Sequence, residues 1–258
     1  MKSVNFPNIR KFVFIIILCA WANTKIAAQE AYEIQVYSAP VMTKNVTMFE
    51  LHSNISPSGP KNETSFKNPL HETLEITTGI TDNFELGFYA FSRVGDGKFQ
   101  YIGSHLRPRI TVPQSWNWKV GASLSLEVGF VKDPFSNETE WDYEIRPIID
   151  KTLNKHYISF NPSFEGSFTT EDISFSPNIK YSFAVKPAYS IGLEYYGSLG
   201  KPFNWERNDV QTHQIYLVTD LFLNPKFEFN FGVGHGFTKS SDVWNIKLIL
   251  GQRVNWKK

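Results

Sequence analysis

Apolar and polar positions alternate with a period of two along most of this chain, in repeated blocks between Val46 and Trp256. Successive side chains of a strand point to opposite faces, so each block predicts a strand with one greasy and one wet face. One unbroken example is Ile173–Phe183. Every odd position there is apolar, aromatic or proline, and every even position is polar or charged. A run of about 9–11 residues is what a tilted strand needs to cross a bilayer.

Twelve such blocks follow one another: Val46–Asn54, His71–Ile80, Phe84–Ser92, Lys98–Val112, Trp118–Phe130, Thr139–Asp150, Leu153–Gly166, Ile173–Phe183, Pro187–Gly197, Thr212–Leu223, Lys226–Gly236 and Val243–Trp256. The links after even-numbered blocks read as tight turns, among them Thr81-Asp82, Pro113–Ser115 and Lys151-Thr152. Most links after odd-numbered blocks are longer and polar, such as Ile55–Leu70 and Ser198–Gln211; Val94–Gly97 is barely longer than a turn. Short periplasmic turns against longer external loops are the rhythm of outer-membrane barrels. The pattern therefore predicts an all-β fold over 46–258: a transmembrane antiparallel up-and-down barrel of about twelve strands, both ends periplasmic.

Composition narrows this further. The 258 residues are 16% aromatic with a mean hydropathy of −0.28. A helical membrane bundle would need apolar runs of about 20 residues per span, and none is present. The one long apolar run, Phe12–Trp21, follows Lys2, Arg10 and Lys11 and precedes Ile26-Ala27-Ala28. This predicts a signal peptide over 1–28, cleaved near Ala28. It contains the single cysteine, Cys19, so the mature chain has no thiol. Residues 1–28 hold four basic and no acidic residues, leaving 22 basic against 25 acidic groups in the mature chain, a charge of −3. No nucleic-acid partner is implied. Residues 29–45 contain the short alternation Tyr32–Tyr37, halted by Ala39-Pro40, and are expected to form a periplasmic lead-in.

With the greasy face toward lipid, the other face lines a lumen. The charged residues expected there as a selectivity wall are Arg107, Arg109, Lys119, Arg146, Glu85, Glu127, Glu144, Glu165, Lys180, Glu194, Asp220 and Lys247. Arg107, Arg109, Lys119 and Arg146 fall on neighbouring strands and suggest an anion-selective patch. The plainer reading is cross-strand pairing, as of Glu85 with Arg109, that merely stiffens the barrel. Trp116, Trp118, Trp141, Tyr195, Trp244 and Trp256 gather near strand ends, where interfacial girdles form. Pro108, Pro147, Pro162 and Pro177 sit mid-strand, and bulges are expected at them.

Phrases such as Phe84-Glu85-Leu86-Gly87, Gly192-Leu193-Glu194-Tyr195-Tyr196-Gly197 and Phe231-Gly232-Val233-Gly234 resemble those of small, transporter-like outer-membrane β-barrels of Gram-negative bacteria. The ending Gly251-x-x-Val254-x-Trp256 is similar to the terminal signal read by the barrel-assembly machinery, with Ile249 at a usually polar position and two lysines beyond the last aromatic. The resemblance implies an outer-membrane location, with lipid and that machinery as partners and small solutes as cargo. It brings no catalytic residue. The expected function is a passive pore or transporter for small polar or charged solutes, not an enzyme. The alternatives are a barrel with a structural or lipase-like role and no open pore, or a soluble secreted ligand-binding barrel. The six histidines form no catalytic motif, and their spacing shows no convergent metal ligands, so no metal or cofactor is expected.

Overall fold

The computed structural model describes residues 32–60, 69–95, 97–132, 138–170, 172–222 and 224–256. The expected signal peptide lies outside the described residues. Twelve strands follow in chain order: β1 (Val46–Pro60), β2 (Leu70–Thr81), β3 (Phe84–Gly95), β4 (Lys98–Thr111), β5 (Gly121–Lys132), β6 (Thr139–Leu153), β7 (His156–Ser167), β8 (Ile173–Lys186), β9 (Tyr189–Ser198), β10 (Thr212–Leu221), β11 (Phe227–Gly236) and β12 (Asp242–Asn255). Each pairs antiparallel with its chain neighbours, and β1 closes on β12 through Val46↔Asn255 to His52↔Ile249. Closure removes the two free edges that a sheet in hydrocarbon could not satisfy.

Alternation then sorts the side chains. Leu51, Leu74, Leu106, Leu124, Ile179 and Leu217 are exposed on the outer wall, while Glu50, Thr73, Arg107, Ser125, Asn178 and Asp220 are buried within. An exposed apolar belt of this extent, around a charged interior, is the surface of a barrel solvated by lipid. The belt is rimmed by rings at both ends. Trp116, Trp118 and Trp256 stand at the periplasmic end, and Trp141 and Trp244 at the other, all exposed.

Two connections depart from the expected rhythm. The β4–β5 link runs from Val112 to Val120 and carries a 3-10 turn at Gln114–Trp116, so alternation through Trp118 and Val120 precedes the strand. On the external side, β3 ends at Gly95 and β4 already begins at Lys98. Nor do the prolines form bulges. Pro108 and Pro147 stay in register with Leu86 and Leu124, while their other sides fall in gaps in the ladder. There β4·β5 passes from Leu106↔Val128 to Arg109↔Ser125, and β6·β7 from Ile145↔Phe164 to Ile149↔Phe160, with no change of register. Pro162 faces the second of these gaps and stands opposite Pro177, one residue before β8·β9 pairing begins at Asn178↔Tyr196. The missing N–H is absorbed by skipping bonds on one side instead of adding a residue.

The largest correction concerns the expected periplasmic lead-in. Tyr32–Thr43 does not lie below the barrel; it runs through the lumen. Tyr32 accepts hydrogen bonds from Thr73 and Asn54 in the outer half, and the Met42 N–H reaches Glu85 at the periplasmic end of β3. The chain then reverses through Asn45, whose φ of 64° suits asparagine, and enters β1.

Candidate functional site: the occluded lumen

The inner segment is bound mainly through its backbone. Asn161 grips Tyr37 from both sides, its Oδ1 accepting from the Tyr37 N–H at 2.7 Å and its Nδ2 donating to the Tyr37 carbonyl at 3.1 Å. Ser159 donates to that same carbonyl. Arg109 donates to the Ser38 and Pro40 carbonyls at 3.0 and 3.1 Å, and Lys247 to the Ile34 carbonyl at 2.9 Å. The Ala39 N–H donates to Asp150 Oδ2 at 2.8 Å. These donors and acceptors come from β4, β6, β7 and β12, so the segment touches the wall all round.

Its side chains complete the fit. The Tyr37 ring lies among three guanidinium groups, with the Cζ atoms of Arg107, Arg146 and Arg109 at 4.6, 5.1 and 5.4 Å from its centroid. Its hydroxyl is 2.8 Å from that of Tyr89. Ile34 and Val36 pack on Tyr196, Tyr216 and Val218, and Tyr37 and Ala39 on Ile148. Glu33 reaches Arg146 at 2.8 Å. Cation–π contacts strengthen as water is withdrawn, so the ring and the arginines stabilise one another best in this closed arrangement.

The expected wall residues are inward-facing, with one exception. Arg107 pairs with Glu75 at 2.5 Å, Arg109 with Glu85 at 2.7 Å, and Arg146 with Glu144 at 2.6 Å as well as with Glu33. Lys180 bridges Glu194 and Asp220 at 3.0 and 2.9 Å, and Lys247 also pairs with Glu194. Glu127, Glu144 and Glu165 stand opposite one another across β5, β6 and β7. Lys119 is the exception: it is exposed in the β4–β5 link, because the strand starts at Gly121. The three arginines of the expected anion patch are each held by carboxylates and covered by Tyr37. Geometry thus favours ion pairing over a bare cationic wall in this conformation, across strands for Arg107 and Arg109 and with Glu144 of its own strand and Glu33 of the inner segment for Arg146.

A cavity of about 590 Å³ remains below the constriction. It is lined at the periplasmic end by Thr43, Val46 and Tyr157, and deeper by Glu50, Glu75, Arg107, Lys180, Glu194 and Lys247. The inner segment, through Gln35–Thr43, forms one of its walls.

A closed up-and-down barrel, apolar outside and charged within, is a transmembrane β-barrel by construction. No protein-family model and no curated protein matches the sequence. Solved structures share the fold. The COG4313 outer membrane channel from Pseudomonas putida F1 superposes with a TM-score of 0.59 at 12% identity, over 86% of this chain and all of that one. The NanC porin gives 0.53 at 6% identity, over 81% and 100% of the two chains, and the KdgM porin 0.52 at 9%, over 81% and 99%. The fold is therefore that of small outer-membrane channel barrels.

Proposed function

We propose that the protein is a passive channel of the Gram-negative outer membrane for small polar or charged solutes, shut here by Tyr32–Thr43. The observation that carries this reading is the way the lumen is filled. A barrel serving only as a scaffold can interlock its own wall side chains, whereas here the constriction is a peptide leading into β1 and held largely by polar side chains of the wall. The polar wall groups it covers, Arg109, Asp150, Ser159, Asn161 and Lys247, are ones that water can solvate. The names of the structural neighbours, an outer membrane channel and two porins, support the same conclusion. The charged residues bared by release of the segment, Arg107, Arg109 and Arg146 among them, would then face the solute.

Planar-bilayer recording tests this. The full mature chain should show a low, intermittent conductance, and a variant lacking residues 32–42 a larger and steadier one. Equal and negligible conductance from both folded proteins would rule out the channel.

A further inference from the structure

The register of β1 on β2 sets Glu50 directly opposite Glu75, with both carboxylates inside the barrel and almost completely buried. Two like charges facing across a ladder repel, and burial strengthens the repulsion. Arg107 takes one oxygen of Glu75 at 2.5 Å. Glu50 has no hydrogen bond or ion pair of its own among the described residues; the nearby Arg253 is engaged by Glu228. The pair is one cation short.

His52 supplies the third group. It lies two residues beyond Glu50 on the same inward face of β1, has no exposed surface, and neither ring nitrogen makes a hydrogen bond. Its Nε2 is 3.4 Å from Glu75 Oε2. One ligand atom each from Glu50, His52 and Glu75 lies within 4.8 Å of the others. Metal–ligand bonds of about 2.0–2.2 Å put ligand atoms about 3–4 Å apart, so a small inward movement would close the set.

We infer that Glu50, His52 and Glu75 form a binding site inside the barrel for a divalent transition cation such as zinc or manganese. Two carboxylates and an imidazole suit those ions, and they leave further coordination positions to water. The Arg107 contact to the other Glu75 oxygen would fix that carboxylate's orientation, as second partners of metal ligands do. An entry route exists, since Glu50 and Glu75 line the periplasmic cavity and His52 lies behind them. An ion there would knit β1 to β2 beside the β1·β12 closure. This inference does not depend on the channel being conductive.

The test uses the full mature chain refolded in detergent, stripped with chelator and titrated with zinc chloride, then with manganese chloride. Calorimetry and thermal melting supply the readouts. Wild type should bind one ion per chain and melt higher with metal. Glu50→Gln and His52→Asn should each weaken binding at least tenfold, whereas His156→Asn, altering an exposed histidine at the periplasmic turn, should leave it unchanged. Without metal, Glu50→Gln relieves the repulsion and should melt at or above wild type, so a folding failure cannot imitate the expected loss. No saturable binding by wild type would overturn the site and leave a shared proton as the neutralising cation. Undiminished binding in both variants would overturn it as well.

Discussion

Replacing Tyr37 tests the closed lumen most directly, because this one ring meets three guanidinium groups, two from β4 and one from β6. Tyr37→Ala removes a buried aromatic side chain that contacts Arg107, Arg109 and Arg146 and lies against Ile148. Aromatic-to-alanine changes in packed interiors cost about 3–5 kcal/mol. Water can enter from the cavity below and relieve part of the void, so the low end, about 3 kcal/mol, is appropriate here. That loss falls on the bound state of the inner segment and leaves the strand ladder untouched. It should raise the ratio of released to bound segment roughly 150-fold, at about 1.4 kcal/mol per decade. Tyr37→Phe keeps the ring and loses the hydroxyl contacts to Tyr89 at 2.8 Å and to Glu75 Oε2 at 3.4 Å, together worth about 1 kcal/mol or roughly fivefold. Single-channel recording reads the ratio of open to closed dwell times, and far-ultraviolet circular dichroism confirms that the barrel is folded. The expected order is wild type, then Phe, then Ala. A folded Tyr37→Ala barrel whose open-to-closed ratio moves by less than about threefold, a change near 0.6 kcal/mol, would refute the segment as the gate.

Other parts of the wall make separate predictions. Gly79→Ala should favour the released segment without unfolding the barrel, since a Cβ there would sit 2.3 Å from the Met42 and Thr43 carbonyl oxygens; more frequent opening in the same recordings is the readout. Glu194→Gln leaves buried Lys247 without its carboxylate and takes one of two from Lys180, so urea unfolding in vesicles should show a loss of about 3–5 kcal/mol. Ile179→Arg places a charge on the lipid face and should cost about 2–4 kcal/mol near the midplane, read by the same titration. Its neighbour Asn178, pointing inward, should accept serine with a far smaller change.

The barrel was legible because lipid and lumen impose opposite demands on adjacent residues, and that demand is written directly into a period of two. On β8, Asn178 is buried while Ile179 and Tyr181 are exposed, as alternation requires. The start of β5 was not legible. Trp118 and Val120 continue the same alternation through an interfacial link, where a tryptophan is as suited as it is to a strand. The inner segment was harder still. Tyr32–Tyr37 alternates like a strand, yet Glu33, Ile34, Val36 and Tyr37 are all buried, since a peptide inside a tube is surrounded on every side. A usable signal lay on the wall instead. Tyr89, Tyr196, Tyr216, Phe91 and Ile148 stand on the wet face and are buried there. A lumen holding only water would have little use for such rings, so apolar residues in the polar phase of several strands point to something packed within. Glu50 and Glu75 were readable singly as inward acids. Their meeting depends on the β1·β2 register, which no local pattern specifies across a long external loop.

The manner in which the segment is held explains why it, and not a strand, is the element able to leave. A strand's backbone bonds lie against lipid, where a broken bond finds no substitute and costs several kcal/mol. The bonds to Tyr32, Ile34, Tyr37, Ser38, Ala39, Pro40 and Met42 come from side chains lining a tube whose periplasmic half is already a cavity. Water entering from that side can replace each in turn, so each costs only the net value of a solvated bond, about 0.5–1.5 kcal/mol for the neutral ones and about 1.5–3 kcal/mol for those made by Arg109, Lys247, Asp150 and Glu85. The apolar contacts of Ile34, Val36 and Tyr37 are what water cannot replace, and they are few. The barrel is therefore fixed by its solvent outside, while the closure of its lumen is set by a small set of side chains that mutation can tune.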